Sequence, residues 1–143
     1  MFIRKSAVAV AGALLAVGLV APAASASTPV TQVIKVKGVQ TSQAEHGQSF
    51  SFTERLWQNA RRVGSDAVTC RFNLTTHKAT CTGVLIFRGT GDLFVRAIVG
   101  ENENGAHGTV TGGTGAFTNA RGTFVVVSNQ SGTIDWFTIR YHV

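Results

Sequence analysis

Beyond residue 30 the chain is a series of short apolar runs rich in Val, Ile, Phe and Thr, separated by glycine-bearing polar stretches. Those residue types suit a pleated, half-buried backbone, and the glycines mark the turns between runs. Eight strands are predicted, at roughly 30–37, 48–57, 65–74, 78–87, 92–99, 107–111, 121–128 and 133–142. Between Glu54 and Arg62 one helical turn is conceivable, but the segment is too short to hold a helix alone.

Alternation assigns the faces. Phe50, Phe52, Glu54 and Leu56 share one side of their strand, opposite Ser49, Ser51, Thr53 and Arg55. Val68, Cys70, Phe72 and Leu74 stand opposite Thr69, Arg71 and Asn73. Near the C-terminus Asp135, Phe137, Ile139 and Tyr141 alternate with Trp136, Thr138, Arg140 and His142. Three runs do not alternate: Val84 to Phe87, Leu93 to Val95 and Phe124 to Val127 are apolar on both faces. Such strands are covered on both sides, which points to a partner subunit, or else to a local flap.

The spacing reads as hairpin following hairpin. The expected fold is all-β: a single eight-stranded antiparallel up-and-down β-barrel, in which closure removes the exposed sheet edges. A two-sheet sandwich is the competing arrangement, but it needs longer crossovers.

The N-terminus has a separate character. Arg4 and Lys5 precede an apolar run from Ser6 to Val20, followed by Ala21-Pro22-Ala23-Ala24-Ser25-Ala26. This is the layout of a secretory signal peptide, residues 1–26, with cleavage expected after Ala26. A membrane anchor is the alternative, but the run is shorter than the ~20 residues a spanning helix requires. The mature domain would be 27–143, secreted and free of the membrane. Removing Arg4 and Lys5 lowers the net charge from +6 to +4. Within 27–143 Arg61-Arg62 is the sole adjacent Lys/Arg pair, so no nucleic-acid partner is expected.

Export favours pairing the two cysteines over free thiols. A turn at Thr75-Thr76 would set Phe72 opposite Ala79 and Cys70 opposite Cys81, within disulfide reach. The four histidines (His46, His77, His107, His142) are scattered, so no metal site is expected. The chain has no Gly-x-Ser-x-Gly elbow and no His-Glu-x-x-His. Gly113-Thr114-Gly115 lacks the rest of a dinucleotide fingerprint, and no cofactor is expected.

Gly112, Gly113, Gly115 and Gly122 crowd one eleven-residue stretch with Phe117, Asn119 and Arg121. Glycine opens backbone angles closed to other residues. Phe117 would then plug inward, while Asn119 and Arg121 bond the freed carbonyls. A barrel-end closure is the structural reading; a direct ligand role for Arg121 is the minor one.

That stretch, GGTGAFTNARG at 112–122, resembles the allene oxide cyclase and dirigent barrel superfamily, in the style of its secreted bacterial members. RLWQNARRVGSDAVTC at 55–70 and CTGVLIFRGTGDLFVRAIVG at 81–100 extend the likeness over roughly residues 47–142. The resemblance implies an eight-stranded barrel with an apolar cavity, often assembled as a homotrimer. It also implies small-molecule chemistry: cyclising a fatty-acid epoxide, guiding phenolic radicals, or cyclising polyketides. The adjacent acidic pair of plant dirigent proteins is missing, since no Asp-Asp occurs here.

Candidate chemistry is read from the inward faces. Glu54 lies among apolar neighbours, should have a raised pKa, and is placed near one mouth. Asp135 and Tyr141 share a face with Phe137 and complete the candidate catalytic set. Phe50, Phe52, Phe72, Arg96 and Phe137 are the candidate ligand-binding residues, Arg96 as a counter-charge. For each charged group a plain structural ion pair is the competing reading. Two functions follow: a cyclase or isomerase acting on a hydrophobic small molecule, or a non-catalytic secreted barrel holding an apolar ligand or a partner protein.

Overall fold

Every strand-to-strand connection is short, so neighbours in sequence become neighbours in the sheet. The structure, a computed structural model, describes residues 28–143; the expected signal peptide and its cleavage point lie outside the described residues. The strands are β1 (Gln32–His46), β2 (Ser49–Gln58), β3 (Arg61–Asn73), β4 (Lys78–Phe87), β5 (Gly91–Gly100), β6 (Gly105–Gly113), β7 (Arg121–Ser128) and β8 (Ile134–His142). They follow in order around a closed barrel, sealed by antiparallel pairing of β1 with β8 from Gln32↔Tyr141 to Val39↔Ile134. The up-and-down barrel is therefore the fold. Among the described residues no helix is long and apolar enough to cross a membrane.

Where a helical turn was conceivable, β2 instead runs to Gln58 and hands over to β3 through Asn59 and Ala60. Both have positive φ, 48° and 61°, the geometry of a two-residue turn whose twist suits a hairpin. The β3–β4 turn spans four residues, with the Asn73 side chain accepting from the Thr75 and Thr76 amides at 2.9 and 3.1 Å. Phe72↔Ala79 and Cys70↔Cys81 are register partners, and the two cysteines form a disulfide. Leu74 departs from its expected face: the ladder ends at Asn73↔Lys78, and Leu74 is exposed on the turn.

β1 is nearly twice its expected length. A bulge between Gln40 and Ser42 leaves Thr41 out of the ladder. Beyond it β1 has lost β8 and pairs with β2 alone, extending the wall on that side.

The apolar runs split as a barrel wall requires. Leu85, Phe87, Leu93, Val95, Phe124 and Val126 point into the core, while Ile86, Phe94, Val125 and Val127 face outward and are exposed. Leu56, Leu85, Leu93 and Ile139 form the fully buried waist.

One end is plugged. The strand-free stretch after β6 makes a single 3-10 turn, Gly115–Phe117. Gly115 has φ +58°, and a side chain there would run into the Thr90 carbonyl. That tight approach lets the Ala116 amide bond the Thr90 carbonyl at 2.9 Å. It also drops Phe117 into the barrel, where its ring meets those of Phe87 and Tyr141, each 5.5 Å away. Arg121 donates to the Ala120 carbonyl at 2.8 Å.

Candidate functional site

Above the leucine waist the barrel is hollow. A cavity of about 350 Å³ opens toward the end formed by the β1–β2, β3–β4, β5–β6 and β7–β8 turns. Its walls are apolar: Phe50, Phe52, Phe72, Phe124 and Phe137 line it, and the Cys70–Cys81 disulfide forms part of one side. Phe50 and Phe52 stack with ring centroids 6.4 Å apart.

The floor carries three buried carboxyl groups: Glu54 is 1% exposed, Asp66 2% and Asp135 8%. Strand parity turns all three inward, and two register relations bring them together. Glu54 on β2 is the direct partner of Asp66 on β3. Asp135 on β8 is the partner of Gly38 on β1. Gly38 has no side chain, and the Glu54 carboxyl occupies the space a Cβ there would need. Glu54 thus reaches past β1 toward Asp135 and sits between the two aspartates.

Glu54 Oε2, both Asp66 oxygens and Asp135 Oδ1 receive no hydrogen bond from any amide or hydroxyl among the described residues. Buried carboxylates are costly when left so; a proton retained between Glu54 and Asp66 meets part of this need, whereas Asp135 Oδ1 is left without a partner. Burial raises the Glu54 pKa from 4.5 to about 10, aided by its hydrogen bond to Asp66 and by the charges of Asp66 and Asp135. At neutral pH Glu54 is therefore a neutral acid that donates. Burial also lifts Asp66, to about 6, partly offset by the neighbouring Glu54. Asp135 is raised by burial as well, against hydrogen bonds from Ser128, its partner across the β7–β8 ladder, and from Glu54. Three like-charged groups crowded into one dry site are resolved by retaining a proton.

Of the three, Asp135 reaches the cavity surface, together with Ser128. Glu54 and Asp66 lie behind it. The expected position of Glu54 near a mouth is corrected accordingly: Phe52 and Phe50 stand between it and the open end, because the β1–β2 turn is on that side.

Phe50, Phe52, Phe72, Phe137 and Asp135 meet at the cavity, with Glu54 buried over Gly38, the register partner of Asp135. Arg96 does not join them; it is exposed, because Val95 and Ala97 on either side point inward. Tyr141 is inward-facing but lies at the plugged end, six residues along β8 from Asp135, about 20 Å at strand rise. There it packs edge-on against Phe117 and donates to the Gln32 side chain at 2.9 Å. The glycine-rich stretch belongs to that plugged end and contributes nothing to the cavity lining. Asp66 was not among the residues expected from sequence. Its signal was present: it precedes Val68, Cys70 and Phe72 at strand period two. Among the described residues no group of three or more His, Cys, Asp or Glu is arranged to hold a metal ion.

No protein-family model and no curated protein matches the chain. Solved structures do. A pyocyanin demethylase is similar with a TM-score of 0.68 at 18% identity, covering 77% of this chain and 99% of that one. Two pterocarpan synthase dirigent proteins have TM-scores of 0.62 and 0.64 at 13% and 12% identity. They cover 80% and 79% of this chain and 89% and 95% of theirs. The fold is thus the barrel of dirigent proteins and of the pyocyanin demethylase.

Proposed function

We propose that this protein is a secreted barrel that binds a hydrophobic small molecule and moves protons on it, as an isomerase or cyclase does. One observation carries the reading: an aromatic, one-ended cavity has on its floor a carboxyl group backed by a second that keeps its proton. A proton-transfer isomerisation or cyclisation takes a proton from one position and returns one at another. Asp135 is placed to meet the ligand, and Glu54 is the proton-holding, positioning residue behind it. General acid–base help of this kind is worth ~100-fold or more in rate. The similar solved structures include one named a demethylase and two named pterocarpan synthases, which supports small-molecule chemistry in this type of barrel.

Secretion is part of the same reading. The N-terminal signal pattern supports it, and the disulfide is compatible with an oxidising compartment. So is self-association, as a homotrimer. Phe94, Ile98, Val125, Val127 and Trp136 are exposed on the outer wall, an apolar surface of the kind that seeks cover.

The test is to identify, by mass spectrometry of solvent extracts, the molecule carried by the purified mature protein, and to assay its conversion. Asp135→Asn and Glu54→Gln should each lower turnover ~100-fold or more while affinity changes less than about tenfold. Full turnover in both variants would overturn the proton-transfer role. Tight binding without conversion by the unaltered protein would leave the non-catalytic binding barrel as the function.

A further inference from the structure

Acidic side chains gather at the cavity of an otherwise basic molecule. Of the seven Asp and Glu residues in the sequence, Glu101, Glu103 and Asp135 line the cavity, and Glu54 and Asp66 are buried beside Asp135. Five of seven acids thus gather at one site in a protein whose Lys and Arg outnumber its acids 13 to 7. Among the described residues no Lys, Arg or His lines the cavity. At the rim His77 Nδ1 lies 2.9 Å from Glu101 Oε2, both side chains largely in solvent. Glu103 has no ion-pair partner among the described residues.

The floor also has an unmet need. Asp135 is more than nine-tenths buried, lines the cavity, and has an oxygen, Oδ1, without a hydrogen-bond partner. A buried carboxylate is stabilised by a cation, and the chain supplies none there. The walls add a second attraction. Five phenylalanines ring the space, and the faces of aromatic rings attract positive charge, more strongly when water is excluded. Acidic groups at the rim and on the floor, with low-dielectric walls between them, focus the field along the axis.

We infer that the ligand of this cavity is an organic cation: a flat or compact apolar molecule with a protonated amine or a cationic ring nitrogen, seated with that nitrogen toward Asp135 and its hydrocarbon body among Phe50, Phe52, Phe72 and Phe137. This rests on the cavity being a ligand site, as proposed above, and goes further by fixing the charge of what it accepts. Anionic molecules of the same shape are excluded by the same groups. A neutral molecule gains the walls and forgoes the floor.

Three probes of matching shape separate these cases: N-methylquinolinium as the cation, 1-naphthalenemethanol as the neutral body and 1-naphthoate as the anion. Each is titrated calorimetrically into the purified mature protein at neutral pH. The expected result is that the cation binds at least about tenfold more tightly than the neutral probe, the gain of one close charge contact in a partly shielded site. No heat of binding is expected from the anion. Asp135→Asn should cut the preference for the cation severalfold or more and leave the neutral probe within about threefold. The exposed pair Glu101→Gln/Glu103→Gln cannot disturb the core, and should slow association of the cation in stopped-flow and reduce its dependence on salt. Neutral probe binding as tightly as the cation would overturn the charge assignment while leaving the ligand cavity intact. Failure of all three probes to bind would overturn the inference and the ligand cavity together.

Discussion

A Cβ at Gly38 would lie 2.5 Å from Glu54 Oε2 and 2.8 Å from Glu54 Cδ. The glutamate side chain from β2 fills the gap that glycine leaves on β1. This one absent side chain brings carboxyls from β2, β3 and β8 to a common point, although β1 lies between β2 and β8 in the wall. The backbone at Gly38 needs no special angle, so its glycine is there for space.

Gly38→Ala should therefore destabilise the fold by about 1–3 kcal/mol, the usual cost of crowding a packed interior. Denaturant midpoints measure it. The double variant Gly38→Ala/Glu54→Ala should be less destabilised than the sum of the two single changes by at least ~0.5 kcal/mol, because the clash disappears with the carboxyl. Simple additivity would show that the two residues do not compete for this space.

The protonated cluster ties stability to pH. Glu54 loses its proton near 4.5 in the unfolded chain and near 10 in the folded one. Between those values the folded state holds a proton that the unfolded state has released, so stability falls as pH rises. Asp66, raised from 3.8 to about 6, acts with the same sign over a lower window. Melting temperature should thus decrease steadily from about pH 5 to pH 9. In Glu54→Gln, where the neutral form is permanent, the decrease above about pH 7 should be largely gone. An unchanged slope in that variant would place the titrating group elsewhere.

The disulfide joins directly opposed residues of β3 and β4, eleven positions apart. Intact mass of the native protein should be two hydrogens below the reduced value, with no thiol available for alkylation. Cys70→Ala/Cys81→Ala should cost ~3 kcal/mol in the chain-entropy account. The two sulfurs also form cavity wall, so the variant should bind apolar ligands less tightly. Unchanged affinity would mean that ligands sit lower, against Phe124 and Phe137.

Self-association through the outer wall is tested by sedimentation at micromolar concentration. A trimer is expected, and Val127→Lys or Trp136→Lys should dissociate it. The two positions are register partners on β7 and β8 and both are exposed. A monomer at those concentrations would leave the outer apolar residues as ordinary exposed side chains.

Much of the barrel was legible because period-two patterning carries most of a strand's information. The faces of Phe50, Phe52, Glu54 and Leu56, and the hairpin that opposes Cys70 to Cys81, follow from alternation and turn placement alone. The same rule would have placed Arg96 outside, between inward Val95 and Ala97, and would have added Asp66 to the inward set. Depth along the axis is another matter. Asp135 and Tyr141 share a face, and nothing in their alternation says that one lies on the cavity floor and the other at the plugged end. Nor does the sequence disclose that Glu54 leans over Gly38, because that contact depends on how three strands are staggered around the barrel.

The Phe117 plug turns the barrel into a cup. Because the far end is stoppered by Phe87, Phe117 and Tyr141, arrival and departure share one doorway. Under the proposed catalytic function, a departing product would have to clear the rim before the next molecule could descend, so the two would compete for the same vacancy. In steady-state kinetics of that proposed reaction the traffic rule would appear as purely competitive product inhibition, with no complex holding both molecules at once.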